Sequence, residues 1–110
     1  MDIEQLLNNY RRLGVPYGQA KAKRTYLEEY KKSLLSLLMK AAGKEGHNSV
    51  SAQEREAAAN PQYVEFLKAL ETAVEEEEKL RFEIKRTEME IEVWRTEQAN
   101  ERMERKAYGA

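Results

Sequence analysis

From Pro61 to about Lys106 the chain runs without a glycine, a second proline or a turn cluster. Such a stretch reads as one helix, about 70 Å long. A compact domain of this chain's 110 residues has a radius of gyration of only about 13 Å. The helix must therefore bend, lie back on another element, or be shared between chains.

The segment carries a heptad pattern. With Tyr63 at position a, the a series is Tyr63, Leu70, Glu77, Ile84, Ile91 and Gln98, and the d series is Phe66, Ala73, Leu80, Thr87, Trp94 and Glu101. An apolar a/d seam is what a coiled coil or a helical hairpin requires. Glu77, inside the run Glu75–Glu78, interrupts it. A carboxylate there is destabilising unless the helices splay or a cation reaches it. The far side of the helix is also apolar in places. At about 100° per residue, Phe82, Met89 and Val93 fall roughly opposite Ile84, where an amphipathic helix carries polar residues. One face suits the chain's own preceding helix and the other a neighbouring subunit. Phe82, Met89, Val93, Ile84, Ile91 and Trp94 are accordingly the expected oligomer-contact residues. The flanks hold Glu–Lys and Glu–Arg pairs four apart, such as Glu77 with Arg81, that support a helix and need no other role.

The preceding half reads as shorter helices. Ile3, Leu6, Leu7 and Tyr10 mark a helix over 2–13, and Gly14-Val15-Pro16-Tyr17-Gly18 reads as its end. A second helix is expected over 19–42, with Leu27, Tyr30, Leu34, Leu37, Leu38 and Ala41 as its apolar stripe and Gly43 as its stop. Residues 44–50 read as a loop, and Ser51 with Glu54 as a capping box for a short helix over 52–59. Asn60-Pro61 then restarts the chain as N-cap and first helical residue. The expected architecture is one all-α domain over 1–110, a helical hairpin with a long C-terminal coiled-coil-like helix, in an oligomer.

Charge divides the domain. Residues 1–50 hold nine basic and five acidic side chains, and residues 51–110 hold ten basic and fifteen acidic. The two halves can attract each other, or the basic half can meet an anionic partner. Arg11, Arg12, Lys21, Lys23, Arg24, Lys31 and Lys32 interleave with Tyr10, Tyr17, Tyr26 and Tyr30. Cations along phosphates with flat rings under bases are how single-stranded nucleic acid is held. On the expected helix, Lys21, Arg24, Lys31 and Lys32 lie away from the Leu27–Leu34–Leu38 stripe and face solvent. Tyr17 and Tyr26 are the stacking candidates, Tyr30 lies in the apolar stripe, and at least two of the tyrosines are expected in the core. Arg102, Arg105 and Lys106 close the last helix, where cations suit the helix dipole.

No catalytic constellation is present. His47 is the only histidine and reads as a solvated loop residue without metal-ligand spacing around it. Gly14 and Gly18 flank Pro16 with no Gly-Lys-Ser/Thr after them, so no phosphate loop is expected. The glutamates fall all round the last helix, as on a solvated helix. We expect no enzyme, no cofactor and no metal. The absence of cysteine removes disulfides and fits the cytoplasm. No apolar run is long enough to span a membrane.

Asn60-Pro-Gln-Tyr63, then Leu67, Leu70, Ala73, the glutamate cluster, Leu80 and a basic and apolar helix to Trp94-Arg95, resembles bacteriophage recombination mediators of the UvsY type. The resemblance is one of layout over roughly residues 20–100. It implies a small helical protein that forms rings, binds single-stranded DNA, and helps a recombinase displace a single-strand-binding protein. Two other readings compete. One is a phage inhibitor or adaptor whose acidic helix, through Glu75–Glu78, Glu83, Glu90 and Glu97, mimics DNA to block a host nuclease. The other is a structural scaffold.

Overall fold

The computed structural model describes residues 2–109, so Met1 and Ala110 lie outside it. The described residues are all-α, with no strand among them. Three helices follow in order, α1 (Ile3–Lys44), α2 (Val50–Ala59) and α3 (Pro61–Ala107). Their contacts group into two compact units. Among the described residues, unit 1 takes 2–18 with 78–109, and unit 2 takes 19–77.

The expected break at Gly14–Gly18 does not occur. α1 is a single helix of 42 residues with Pro16 inside it. Proline removes one backbone donor, so the Arg12 carbonyl loses its partner. Arg12 and Pro16 are both exposed, which leaves that carbonyl to water. Neither Gly14 nor Gly18 takes a positive φ, so neither supplies the backbone turn their spacing suggested. What carries the helix through is burial at three- and four-residue steps on both sides of the proline. Leu13 and Tyr17 in unit 1, and Ala20, Arg24, Leu27, Lys31, Leu34 and Leu38 in unit 2, are buried or half-buried at that spacing. Tertiary burial outweighs a local propensity penalty of about 3 kcal/mol.

In unit 2, α1 and α3 run antiparallel, since Arg24 meets Glu77 while Tyr30 meets Phe66. Leu34, Leu38, Ala57 of α2 and Phe66 form the core, with Leu27, Leu35, Met39, Tyr63 and Leu70 packed on it. The apolar stripe of α1 is narrower than its composition suggests. Leu37 is 58% exposed, and Ala41 also faces out.

The turn between α1 and α2 is closed by Gly46 at φ 106°, not by Gly43. The His47 amide bonds the Ala42 carbonyl at 3.1 Å and the Gly46 amide bonds the Gly43 carbonyl at 3.3 Å. That pair of bonds satisfies carbonyls the helix end leaves open. Gly43 serves close packing instead, because a Cβ there would meet the Gln53 side chain at 3.1 Å. Gln53 in turn donates to the His47 carbonyl. α2 starts two residues before the expected point. Its N-cap is Ser49, whose hydroxyl accepts from the Ala52 amide at 3.1 Å. The third helical position is then Ala52, which has no side chain to complete a capping box. The α3 start is as read, with the Asn60 side chain accepting from the Gln62 amide at 2.8 Å and Pro61 as first helical residue.

The α3 seam is as read up to Gln98, while Glu101, the last expected d position, is exposed. Tyr63, Phe66, Leu70, Ala73 and Glu77 in unit 2, and Leu80, Ile84, Thr87, Ile91, Trp94 and Gln98 in unit 1, are all buried or half-buried. Thr87 fits because its hydroxyl donates to the Glu83 carbonyl one turn back.

Candidate nucleic-acid interface

The cations of α1 separate into two groups by what they touch. Arg24 is inside the seam, not on the solvent side. Its Nε and its second terminal nitrogen both donate to the Glu77 carboxylate, and its other nitrogen bonds Glu28 at 2.8 Å. Glu77 is only 6% exposed, so this is the cation that the interrupted seam demands. Hydrogen bonding to Glu77 first, and to Glu28 second, raises the arginine's pKa and keeps it charged. Glu77 is therefore not available to Arg81, which pairs with Glu78 instead at 3.0 Å. Lys31, one heptad on from Arg24, is also half-buried in the seam. The expectation that Arg24 and Lys31 point away from the leucine stripe is corrected. The pairing seam steps by three and four, and those steps pass through both residues.

Lys21, Lys23 and Lys32 are exposed on unit 2, with Lys32 3.4 Å from Glu29. Arg11 and Arg12 are exposed on unit 1, and Arg11 bonds the Asn8 side chain. Of the two stacking candidates, Tyr17 is half-buried and Tyr26 is 66% exposed. Tyr26 lies nearly parallel to Tyr30, ring centroids 6.1 Å apart. Tyr30 is not a core residue, because more than a third of it is open, yet it touches Phe66 at 5.8 Å. Phe66 stacks on Tyr63 at 6.4 Å. Unit 2 thus has a line of four aromatic rings that begins at the surface with Tyr26 and ends in the core. The i, i+4 spacing of Tyr26 and Tyr30 could have shown the first step. The link to Phe66 needs the fold.

In unit 1, Tyr10 donates to Glu88 at 3.1 Å. That hydrogen bond, with the carboxylate's charge, raises the phenol's pKa. Leu7 and Tyr10 border a groove with Glu88, Ile91, Glu92 and Arg95. Of the six expected oligomer-contact residues, Ile84, Ile91 and Trp94 are half-buried seam positions. Phe82, Met89 and Val93 are 70%, 69% and 49% exposed.

Four acidic side chains of α3 pair with cations of the same helix. Glu65 pairs with Lys68, Glu78 with Arg81, Glu83 with Arg86 and Glu92 with Arg95, each three residues apart. His47 is half-buried, with its Nε2 3.9 Å from Glu56. No cluster of metal-ligating side chains occurs among the described residues. No helix among them is long and apolar enough to cross a membrane. Comparison with protein-family models, with curated proteins and with solved structures gives no match.

Proposed function

We propose that this chain is a non-enzymatic, multi-copy accessory protein that binds single-stranded DNA. In this reading it serves bacteriophage recombination in the host cytoplasm by helping a recombinase or annealing protein load against a single-strand-binding protein. The observation that carries the reading is the surface of unit 2. Tyr26 offers an open ring nearly parallel to Tyr30, and exposed Lys21, Lys23 and Lys32 share its helix. An open ring with the Lys23 ammonium on its own side of the helix suits one base and a flanking phosphate, while Lys21 and Lys32, more than about 100° round the helix at about 100° per residue, would meet phosphates further along the strand. Arg11 and Arg12 on unit 1 are secondary contacts. Arg24 is assigned to the fold, because its fork is filled by Glu77 and Glu28. Individually weak contacts become useful when several copies present them to one strand, which can raise avidity by about 10²–10⁴.

The test is fluorescence anisotropy of a labelled oligonucleotide across a salt series. Binding should fall steeply with salt as counterions are restored. Tyr26→Ala should weaken it by about 1–3 kcal/mol if one base stacks there. Lys21→Glu with Lys23→Glu should abolish it at moderate salt while the far-ultraviolet circular dichroism stays unchanged. Affinity unaltered by both changes refutes the assignment. The scaffold reading draws on exposed Phe82, Met89 and Val93, and it predicts self-association with no DNA affinity at any salt.

A further inference from the structure

We propose that the outward face of α3 in unit 1 binds the same face of a second copy of this chain, with the two α3 helices antiparallel about a two-fold axis close to Met89. The inference rests on the multi-copy reading above and gives that assembly a specific contact.

Phe82 and Met89 are seven residues apart and Val93 follows four later, so the three share one side of α3. Nothing in unit 1 covers them, and each is about half exposed or more. Met89 and Val93 border a shallow, mainly apolar groove of about 500 Å³ with Lys85, Glu88 and Glu92. Three large apolar side chains on one exposed side of a helix form a candidate contact surface.

Charge order selects the occupant. Beside Met89 the cations Lys85 and Arg86 precede it and the anions Glu90 and Glu92 follow it, while Glu78, Glu83 and Glu88 also precede it and Arg95 follows. An antiparallel second copy sets Lys85 against the second copy's Glu92 and Arg86 against its Glu90. The same alignment lays Phe82 on the second copy's Val93 and leaves Met89 beside the axis. A parallel pair would set each cation against itself, which is unfavourable. The existing partners do not block this arrangement. Arg86 with Glu83 and Arg95 with Glu92 are exposed pairs, which contribute little and exchange readily. A specific contact buries about 1,000 Å². Three apolar side chains per copy supply part of that, and the aliphatic stems of the flanking cations add to it. The contact is therefore concentration-dependent and salt-sensitive.

The chain has no cysteine, so single cysteines report the geometry directly. Position 82 lies about 10 Å along the helix from Met89, which puts two copies of it about 20 Å apart and beyond disulfide reach. Under mild oxidation, Met89→Cys should cross-link to itself. Phe82→Cys alone should not, and an equimolar mixture of Phe82→Cys and Val93→Cys should. In sedimentation equilibrium of the full chain, Arg86→Glu should raise the dimer Kd about tenfold. Adding Glu90→Arg should restore it. Self-cross-linking at both 82 and 89, a lone monomer at high concentration, failed restoration, or a different protein held on this face of a monomer each overturns the proposal. Oligonucleotide affinity of the unaltered chain is read separately. A dimer without DNA affinity removes the DNA reading and leaves this one, and a DNA-binding monomer does the reverse.

Discussion

Phe66→Ala should be the most damaging single truncation in unit 2. Phe66 is 8% exposed and lies in the cluster with Leu34, Leu38 and Ala57. It also joins Tyr30 to Tyr63 through ring contacts at 5.8 and 6.4 Å. Truncating a buried phenylalanine costs about 3–5 kcal/mol, the spread depending on how far the surroundings collapse. No large side chain among the described residues is fully buried, so the neighbours can close partly around the gap and the lower end applies. Domains are stable by only about 5–15 kcal/mol, and each kcal/mol moves the midpoint of a domain this small by about 4–8 °C. The expected loss of about 3 kcal/mol therefore lowers Tm by more than about 10 °C. Thermal and urea melts followed by circular dichroism at fixed protein concentration measure it. Phe82→Ala is the internal contrast, because that ring is 70% exposed and surface changes stay within about 0.5 kcal/mol. A loss below about 1 kcal/mol for Phe66→Ala, or equal losses for both variants in dilute monomer, would refute the argument that the buried seam holds this fold.

Two further outcomes follow from the same packing. Pro16→Ala should stabilise the chain, by about 1–3 kcal/mol, because it returns a donor to the Arg12 carbonyl in a helix that already passes through this exposed position. A lower urea midpoint for that variant would show that the proline has a role the helix does not reveal. Tyr10 is bonded to Glu88 and its pKa is raised. The folded state then holds the phenol proton more tightly than the unfolded chain does. The resulting stability is complete below the unfolded pKa of about 10 and is lost as pH rises through the folded value. Melts between neutral pH and pH 11 should show that alkaline decline in the parent and a smaller one in Tyr10→Phe, and identical slopes would count against the bond.

The long helix was the legible part of the chain. Asn60 and Pro61 announce its start chemically, and the heptad positions from Tyr63 to Gln98 are the ones that pack. The first half was harder to read because its local and tertiary signals disagree. Gly14, Pro16 and Gly18 are turn residues by composition, yet the three-and-four spacing of Leu13, Tyr17 and Ala20 continues across them. A reading from punctuation alone ends the helix there. At the next turn several small polar residues can each act as a cap. Gly46 and Ser49 take the roles expected of Gly43 and Ser51. The site suffered most from a one-helix view. Arg24 and Lys31 look free until the seam of α3 is laid beside them, and Tyr30 looks like core until its exposed edge is seen on Tyr26.

The Arg24–Glu77 contact also answers a question that every leucine-lined pair of helices poses. Apolar side chains tolerate slippage, since moving one helix by seven residues brings leucine to leucine again. A carboxylate with almost no access to water has no such tolerance. Moved one way it meets Tyr17, which cannot neutralise it. Moved the other way it meets Lys31, whose single ammonium lacks the two-pronged grip of a guanidinium. One acidic residue in a greasy stripe thereby favours one alignment over its seven-residue neighbours.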